Sequence, residues 1–271
     1  MLRFGSGSYN VRESEIVRHE RRDTSFRTII CTYRTIGQEL LDKVFRHLEL
    51  IEKDYFALQY DDLLSKNDCL CWLDPTQSIR KQLRCPPYVL YLRVKFYVSD
   101  PCKLHEEYTR YHFYLQLRKN IAQGKLFCTE SSSALLGSYA VHCIYILAEY
   151  GDYVDEEHGE SYLDGFQFAP NQTTSLVRKI ADLHKLHRGQ TPADAEYNFL
   201  DHAKRLDTYG VNLCQAQDSN FCDVFLGAAC YGLAVFQKTQ RTHAYCWSKI
   251  LEISFKRKQF FLKLIATSTS E

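Results

Sequence analysis

The sequence lacks the long apolar runs, the charge excess and the signal segment that indicate several large classes of protein. No apolar run reaches the roughly 20 residues of a transmembrane helix, and the first residues contain no apolar signal-peptide core. The formal net charge of +1 does not favour a dedicated nucleic-acid-binding protein. These absences predict an intracellular protein without a nucleic-acid partner, and a hydrophobic fraction of 45% is sufficient for folded cores.

Paired metal-ligand motifs are also missing, although the chain has 11 cysteines. Cys69 and Cys71 form the only close pair, and a structural zinc site usually takes a second, matching pair. An odd number of cysteines without a signal peptide indicates reduced thiols. The sequence therefore predicts scattered buried or half-buried thiols, with no metal and no cofactor.

The first part of the chain predicts a small sheet with a helix. Residues 1–24 combine Arg, Glu and Ser without periodicity, which is typical of a flexible basic tail. The run from Phe26 to Tyr33 is β-branched and aromatic, and Gly37 precedes apolar residues at helical spacing. Two alternating runs, DYFALQY and YVLYLRVKF, predict further strands around a short helical piece, SIRKQL. This order over residues 25–99 suits a ubiquitin-like roll.

Residues 103–210 change to a helical pattern. The fourth helix has the clearest start, because Thr191 is a good N-cap and Pro192 fits the first helical position. The predicted helices run from about Leu104 to Ala122, from Ser131 through Glu149, from Ser175 to His187, and from Thr191 to Tyr209. From Val211 five strand-like runs follow, and their short connections predict an antiparallel meander.

Several of these segments resemble one family. The block RVKFYVSDPCKLHEEYTRYHFYLQLRKNIAQGKL joins a strand to a long helix at Arg93–Leu126, and the phrases LLDKVFRHLELIEKDYF, RGQTPADAEYNFL and ISFKRKQFF lie elsewhere. Over about 245 residues the chain resembles the FERM module of the band 4.1 superfamily. YNVR, IRKQL and VKFYVSDP are similar to the FERM-containing non-receptor tyrosine phosphatases.

The resemblance implies an α+β, three-lobed FERM module. Its parts are a ubiquitin-like roll at residues 25–99, a four-helix bundle like that of acyl-CoA-binding protein at 103–210, and a truncated pleckstrin-homology-like sheet at 211–271. Residues 1–24 precede these lobes as the flexible tail.

Three features depart from the family pattern. Only about ten residues separate Phe26 from Gly37, which is room for one strand where a ubiquitin-like lobe has two, so we expect the first sheet to lack a strand. The segment YAVHCIYILAEYGDY is about five residues longer than the family form. The last lobe has five predicted strands, without the further strands and helix that border the family's peptide groove.

The sequence predicts no catalytic residue. A tyrosine-phosphatase site needs a cysteine of low pKa followed six residues later by an arginine, and Glu149 stands six residues after Cys143. Cys143 lies in an apolar stretch, so we expect it to pack in a core. His184 and His187 lack a third ligand and a base, and we expect a solvated helix face instead of a zinc site.

Two clusters of basic residues form the candidate binding site. The densest basic run beyond the tail falls at a predicted turn near the end of the chain, and the other cluster lies on the short helix of the first lobe. The resemblance implies that FERM modules engage anionic phosphoinositides between these two lobes. The predicted lipid-binding residues are Arg80, Lys81, Arg84, Lys249, Lys256, Arg257 and Lys258. An ordinary solvated surface is the alternative for both clusters.

The resemblance implies a non-catalytic membrane–cytoskeleton adaptor or targeting module, cytoplasmic and peripheral at the plasma membrane. Its expected partners are cytoplasmic tails of membrane proteins, cytoskeletal proteins and anionic membrane lipids. The main alternative is a truncated product of a FERM-containing tyrosine phosphatase, without the catalytic domain in this chain. A third reading is an incorrectly spliced or truncated product that folds poorly, because the three departures fall inside expected elements rather than at loop tips.

Overall fold

The computed structural model describes residues 8–12, 27–30, 34–61, 70–83, 89–144, 152–154, 159 and 162–265. Three successive groups of elements make up this part of the chain, and we call them the first, second and third lobes. The first lobe comprises β1 (Ser8–Arg12), β2 (Arg27–Ile30), α1 (Gly37–His47), β3 (Phe56–Asp61), β4 (Leu70–Trp72), α2 (Ile79–Gln82) and β5 (Val89–Val94). The second comprises α3 (Glu107–Ala122), α4 (Glu130–Ile144), α5 (Thr174–His184) and α6 (Pro192–Ala203). The third comprises β6 (Asn212–Gln217), β7 (Asp223–Ala229), β8 (Gly232–Gln237), β9 (Gln240–Cys246), β10 (Ile250–Lys256) and β11 (Gln259–Leu264).

The first lobe has a sheet of five strands in the order β2-β1-β5-β3-β4. β1 pairs antiparallel with β2 and parallel with β5, so it lies between them. Two sequence expectations are therefore wrong: residues 1–24 are not all a tail, and the sheet does not lack a strand. The strand that was expected to be missing lies before Phe26, at Ser8–Arg12. The roughly ten residues between Phe26 and Gly37 therefore contain only β2.

Helix α1 packs its apolar side into the core of the first lobe. Leu40, Leu41, Val44 and Phe45 recur at helical spacing and are buried. Gly37 has to be small, since a Cβ atom there would lie 2.4 Å from the backbone oxygen of Asp74. This close approach holds the start of α1 against the turn that precedes α2.

The described part of the second lobe is a bundle of four α-helices, as the sequence predicts. α4 packs against α5 and α6, and α3 packs against α6. Gly124 follows α3 with φ +70°, the left-handed conformation in which glycine commonly ends a helix. α6 begins with a capping box formed by Thr191 and Asp194. The segment YAVHCIYILAEYGDY, which the sequence predicts to be longer than the family form, lies mostly outside the described residues. The structure describes α4 as far as Ile144.

An aromatic cluster joins the first and second lobes. Phe113 of α3 is fully buried and makes edge-to-face contacts with Tyr55, Phe56 and Tyr97, with ring centroids 5.7 to 6.2 Å apart. Tyr97 also contacts Tyr209, near the end of the second lobe. The two lobes therefore share one hydrophobic core.

The described part of the third lobe contains six strands, where the sequence predicted five. β6–β9 form a four-stranded antiparallel sheet, and β10 and β11 form a separate two-stranded sheet. The additional strand is β6, whose run NLCQAQ is largely polar and mostly exposed, so its apolar alternation is weak. Within the described ranges, no helix is long and apolar enough to span a membrane.

Candidate functional site

Three of the seven predicted lipid-binding residues form one turn. Lys256, Arg257 and Lys258 connect β10 to β11, and we call them the basic turn. Lys256 ends β10 and pairs across the hairpin with Gln259. All three side chains are exposed, and none forms an ion pair within the described part of the chain. Their charges are therefore accessible to a ligand.

The basic turn has an unfavourable backbone conformation at a cationic residue. Arg257 has φ +58°, in the left-handed region that costs a residue with a side chain roughly 1–2 kcal/mol. Glycine or asparagine is the usual choice at such a position of a hairpin. The sequence places a guanidinium where glycine would relieve strain, which is a pattern found at functional sites.

Positive charge predominates along the whole hairpin. Residues 249–263 contain five cationic residues and one anionic residue, Glu252. Lys249 precedes β10 and lies about 20 Å from the basic turn, the length of a seven-residue strand. Lys263 pairs across the sheet with Glu252, so these two charges partly offset each other. Most of the remaining positive charge lies at the turn.

The predicted cluster of the first lobe lies on α2. Arg80 and Lys81 are exposed there, whereas Arg84 lies outside the described residues. Hydrogen bonds from the hydroxyl and the backbone N–H of Thr76 hold the pKa of the Asp74 carboxyl below its usual range. An ionised carboxylate therefore lies a few residues before α2, and it makes this cluster a weaker site for an anion than the basic turn.

One side of the β10–β11 hairpin is apolar and uncovered. Directly opposite residues of an antiparallel pair project from the same face of a sheet. The pairs Ile253–Leu262 and Phe255–Phe260 meet this condition, and the row continues by alternation to Leu264 on β11, whereas the register of β10 shifts between Ile250 and Glu252. Phe255 is 76% exposed, the highest value in the row. We call this row the apolar face: Ile253, Phe255, Phe260, Leu262 and Leu264.

Four described histidines of the second lobe are buried, and His184 and His187 are among them, so the prediction of a solvated face for these two is wrong. His142 of α4 and His184 of α5 are fully buried, and His187 is 5% exposed. Nε2 of His187 lies 2.8 Å from Oγ of Ser138, and Nε2 of His142 donates to the carbonyl oxygen of Gln190 at 2.9 Å. Burial and the nearby His142 lower the pKa of His187 to about 4. The i, i+3 spacing of His184 and His187 did not reveal this burial, because a spacing along one helix does not show that α4 packs against that helix.

Four of the eight described cysteines are buried or half-buried, as predicted, whereas the prediction is wrong for the four in the third lobe, which are exposed: Cys214, Cys222, Cys230 and Cys246. Cys143 is buried, as predicted, and its thiol donates to the carbonyl oxygen of Pro192. Burial raises the pKa of Cys128 to about 11, the opposite of the shift that a nucleophilic cysteine needs. Among the described residues, no group of three His, Cys, Asp or Glu is arranged to hold a metal ion.

The order of the three lobes agrees with the family profiles that match this sequence. The FERM N-terminal domain matches residues 23–85, the FERM central domain matches residues 99–213, and the FERM C-terminal PH-like domain matches residues 218–271. The chain belongs to the FERM family. The predicted three-lobed α+β fold is therefore confirmed.

Both predicted groups of relatives appear among the similar proteins. The chain is 47% identical over 228 residues to human Band 4.1-like protein 2. This match covers 84% of the chain and 22% of the relative. It is 42% identical over 268 residues to human Tyrosine-protein phosphatase non-receptor type 4, covering 95% of this chain and 28% of the relative. The chain thus spans about a quarter of the length of these curated relatives.

A solved structure supports the same fold. The crystal structure of the FERM and C-terminal domain complex of Drosophila Merlin has a TM-score of 0.77 and 28% sequence identity to this chain. The match covers 97% of this chain and 88% of the Merlin chain.

Proposed function

We propose that this chain is a non-catalytic adaptor module at the cytoplasmic face of the plasma membrane. It docks reversibly on phosphoinositide-bearing membrane and links it to cytoskeletal proteins or to cytoplasmic tails of membrane proteins. The basic turn carries this proposal, because it presents three exposed cations and keeps Arg257 in an unfavourable backbone conformation. Each cation close to an anionic bilayer contributes on the order of 1 kcal/mol to binding.

The comparisons support the adaptor part of the proposal. The chain shares its whole described fold with the Merlin FERM domain, which was solved in complex with a C-terminal domain. A protein tail is therefore a reasonable partner for this chain. Lys249, Arg80, Lys81 and Arg84 are proposed to add to membrane docking, with a smaller contribution than the basic turn.

Co-sedimentation with vesicles tests the membrane docking. The vesicles contain phosphatidylcholine with or without a phosphoinositide. The triple variant Lys256→Ala, Arg257→Ala, Lys258→Ala is expected to bind the phosphoinositide vesicles at least tenfold more weakly than the wild type. Added salt is expected to weaken wild-type binding, because exposed charges are screened.

A matched control removes the same amount of charge from the other two lobes. It replaces three exposed cations by alanine: Lys53, Lys125 and Arg178. We expect this control to bind within about twofold of the wild type, since its cations lie away from the basic turn. Equal binding by the wild type and the basic-turn variant, insensitive to salt, would contradict the proposed docking.

The variant Arg257→Gly separates function from stability at the same turn. Glycine adopts φ near +58° without strain, so we expect the free energy of unfolding to stay equal or to rise by up to about 1 kcal/mol. Vesicle binding should weaken nonetheless, because one cation is lost. A variant that is less stable and binds as well as the wild type would show that Arg257 serves the turn and not the ligand.

The second candidate is a truncated product of a FERM-containing tyrosine phosphatase. The match to Tyrosine-protein phosphatase non-receptor type 4 favours it, because that match covers 95% of this chain against 84% for Band 4.1-like protein 2. Both candidates predict that the purified chain does not hydrolyse para-nitrophenyl phosphate. Turnover that is lost when the thiols are alkylated would overturn the non-catalytic assignment.

A further inference from the structure

We infer that residues 204–210, which we call the joint, hold the third lobe in a fixed orientation on the other two, with Lys204 as the positioning residue. The joint follows α6, and only Val211 separates it from β6, so its placement sets where the third lobe begins. A fixed orientation keeps the basic turn in a constant place relative to Arg80 and Lys81 of the first lobe. This consequence rests on the proposed membrane docking, whereas the joint itself does not.

Lys204 ties the joint to the connection between the first two lobes, residues 97–103. Its Nζ donates to Oδ1 of Asp100 in that connection at 2.8 Å and forms an ion pair with Asp201 of α6, also at 2.8 Å. The Lys204 side chain is only 20% exposed, so salt screens these pairs less than it screens a surface pair. The hydrogen bond from Lys204 holds the pKa of the Asp100 carboxyl below its usual range. The charged pair is therefore maintained at neutral pH.

The other end of the joint is held by a hydrogen bond and by close packing. The Tyr209 hydroxyl donates to the carbonyl oxygen of Val98 at 2.9 Å, and its ring packs against Tyr97 with centroids 5.5 Å apart. Gly210 has φ +65°, and a Cβ atom there would lie 2.6 Å from Cβ of Tyr97, so glycine is required at this approach. Both ends of the joint therefore contact the same connection.

A further contact joins the middle of the joint to the third lobe. Oδ1 of Asp207 lies 3.1 Å from Nη2 of Arg241 of β9, whose guanidinium also donates to the hydroxyl of Tyr231. This pair is more exposed than the pair of Lys204 with Asp100, so we expect it to contribute less. Together these contacts attach the joint to all three lobes.

A fixed arrangement strengthens binding that uses two lobes. Once one cluster of cations has reached the bilayer, the other is presented at a high effective concentration only if the lobes keep a suitable geometry. A third lobe that swings freely loses part of this gain, because ordering it on binding costs entropy. Lys204 thus acts on docking through the orientation of the basic turn and not through contact with the lipid.

Small-angle X-ray scattering of the chain in solution tests the joint without any membrane. The variants are Asp100→Asn, which removes one charge of the pair, and Lys204→Met, which removes the other. Each is expected to raise the radius of gyration by on the order of 1 Å and to broaden the distribution of interatomic distances. Lys204→Arg keeps the positive charge and is expected to scatter like the wild type.

The matched controls break an ion pair inside the second lobe. Lys179 of α5 pairs with Glu130 of α4 at 2.6 Å, and Lys179→Met and Glu130→Gln are expected to leave the scattering unchanged. Circular dichroism of every variant shows that its helices and strands are kept, so that a change of shape is not unfolding. Wild-type scattering by both Asp100→Asn and Lys204→Met overturns the joint.

Binding to the phosphoinositide vesicles then tests the use of the joint in docking. Asp100→Asn adds one net positive charge, so charge attraction alone predicts equal or tighter binding, whereas loss of positioning predicts binding weaker by about threefold or more. Altered scattering with weaker binding supports the inference, and altered scattering with wild-type binding overturns the positioning role. If the triple basic-turn variant binds like the wild type, the docking itself is wrong, and the scattering alone decides whether the joint fixes the third lobe.

Discussion

His187, one of four buried histidines among the described residues of the second lobe, shows how the surroundings of a residue decide its protonation state. His187 stacks on Tyr139 with ring centroids 4.4 Å apart, and the Ser138 hydroxyl donates to the carbonyl of Leu135. Because the serine hydrogen is used in this way, Nε2–H of His187 donates to the serine oxygen. Burial removes the ring from water and His142 lies nearby, and both disfavour the charged form, so the neutral form of the ring is favoured.

We expect His187 to lower the free energy of unfolding as the pH falls below about 6.5, whereas Glu196, whose pKa burial raises to about 7, acts in the opposite direction. The pKa of His187 is about 4 in the folded chain and about 6.5 in an unfolded chain, so the unfolded state binds more protons between these values. The stabilisation is fully present above the unfolded pKa and is lost as the pH falls towards 4, by on the order of 2–3 kcal/mol.

Urea unfolding at several pH values measures this dependence. The comparison variant His187→Phe keeps an aromatic ring against Tyr139 and removes the titrating group. Its free energy of unfolding is expected to fall less on acidification than that of the wild type. If both chains show the same dependence between pH 7 and 4, other groups are responsible for it.

Among the elements, α6 has the most complete local signal. The Thr191 side chain accepts from the backbone N–H of Asp194, and the Asp194 carboxylate accepts from the backbone N–H of Thr191. The Thr191 hydroxyl also donates to the Asp194 carboxylate, and this bond together with that from the Thr191 backbone N–H holds the pKa of Asp194 below its usual value. The start of this helix is therefore determined by residues that are adjacent in sequence, and sequence reasoning located it correctly.

The variant Thr191→Ala is expected to lower the free energy of unfolding by about 1 kcal/mol. Its cause is the loss of the side-chain oxygen that accepts from an otherwise unpaired N–H of the first turn. Thr191→Ser keeps that oxygen and is expected to remain within a few tenths of a kcal/mol of the wild type. Urea denaturation compares the three chains, and an alanine variant as stable as the serine variant would rule out a contribution from the cap.

Strands were harder to predict than helices in this chain. β1 has five residues in a polar, charged region, and its place in the sheet comes from pairing with β2 on one side and β5 on the other. β6 is similarly polar but pairs along its whole length with β7. β1 is held by partners distant in sequence, and β6 lies at the edge of its sheet. For both strands, local alternation of apolar residues is therefore a weak predictor.

At the scale of the whole molecule, the aromatic cluster makes the first two lobes depend on each other. Phe113 of α3 contacts Tyr55 and Phe56 of the first lobe and Tyr97 of the connection between the lobes. We therefore expect these lobes to unfold in one transition. Such coupling also argues against a chain that folds poorly in its first two lobes.

The variant Phe113→Ala is expected to cost about 3–5 kcal/mol and to separate the unfolding of the two lobes. Tryptophan fluorescence follows the first and third lobes through Trp72 and Trp247, and far-ultraviolet circular dichroism follows the helices. The control Phe96→Ala removes a phenylalanine that is 59% exposed and should leave one transition. Coincident transitions in the Phe113→Ala chain would show that the cluster does not couple the lobes.

The predicted site agrees only in part with what the structure brings together. The three consecutive cations were found from sequence, since a run of like charges needs no fold to be recognised. The strained backbone of Arg257 and the exposure of Phe255 were not, because both depend on how the hairpin closes and on what covers it. The lipid-binding role of all seven residues stays a prediction.

The sequence by itself determined the family, the order of the three lobes, the four helices of the second lobe, the start of α6 and the burial of Cys143. Each of these depends on neighbours within a few residues or on patterns spread over the whole chain. The tertiary structure alone decided the position of β1 in the sheet, the burial of His184 and His187, and the uncovered apolar face beside the basic turn. These features depend on whether segments far apart in sequence contact each other. A local sequence pattern does not contain that information.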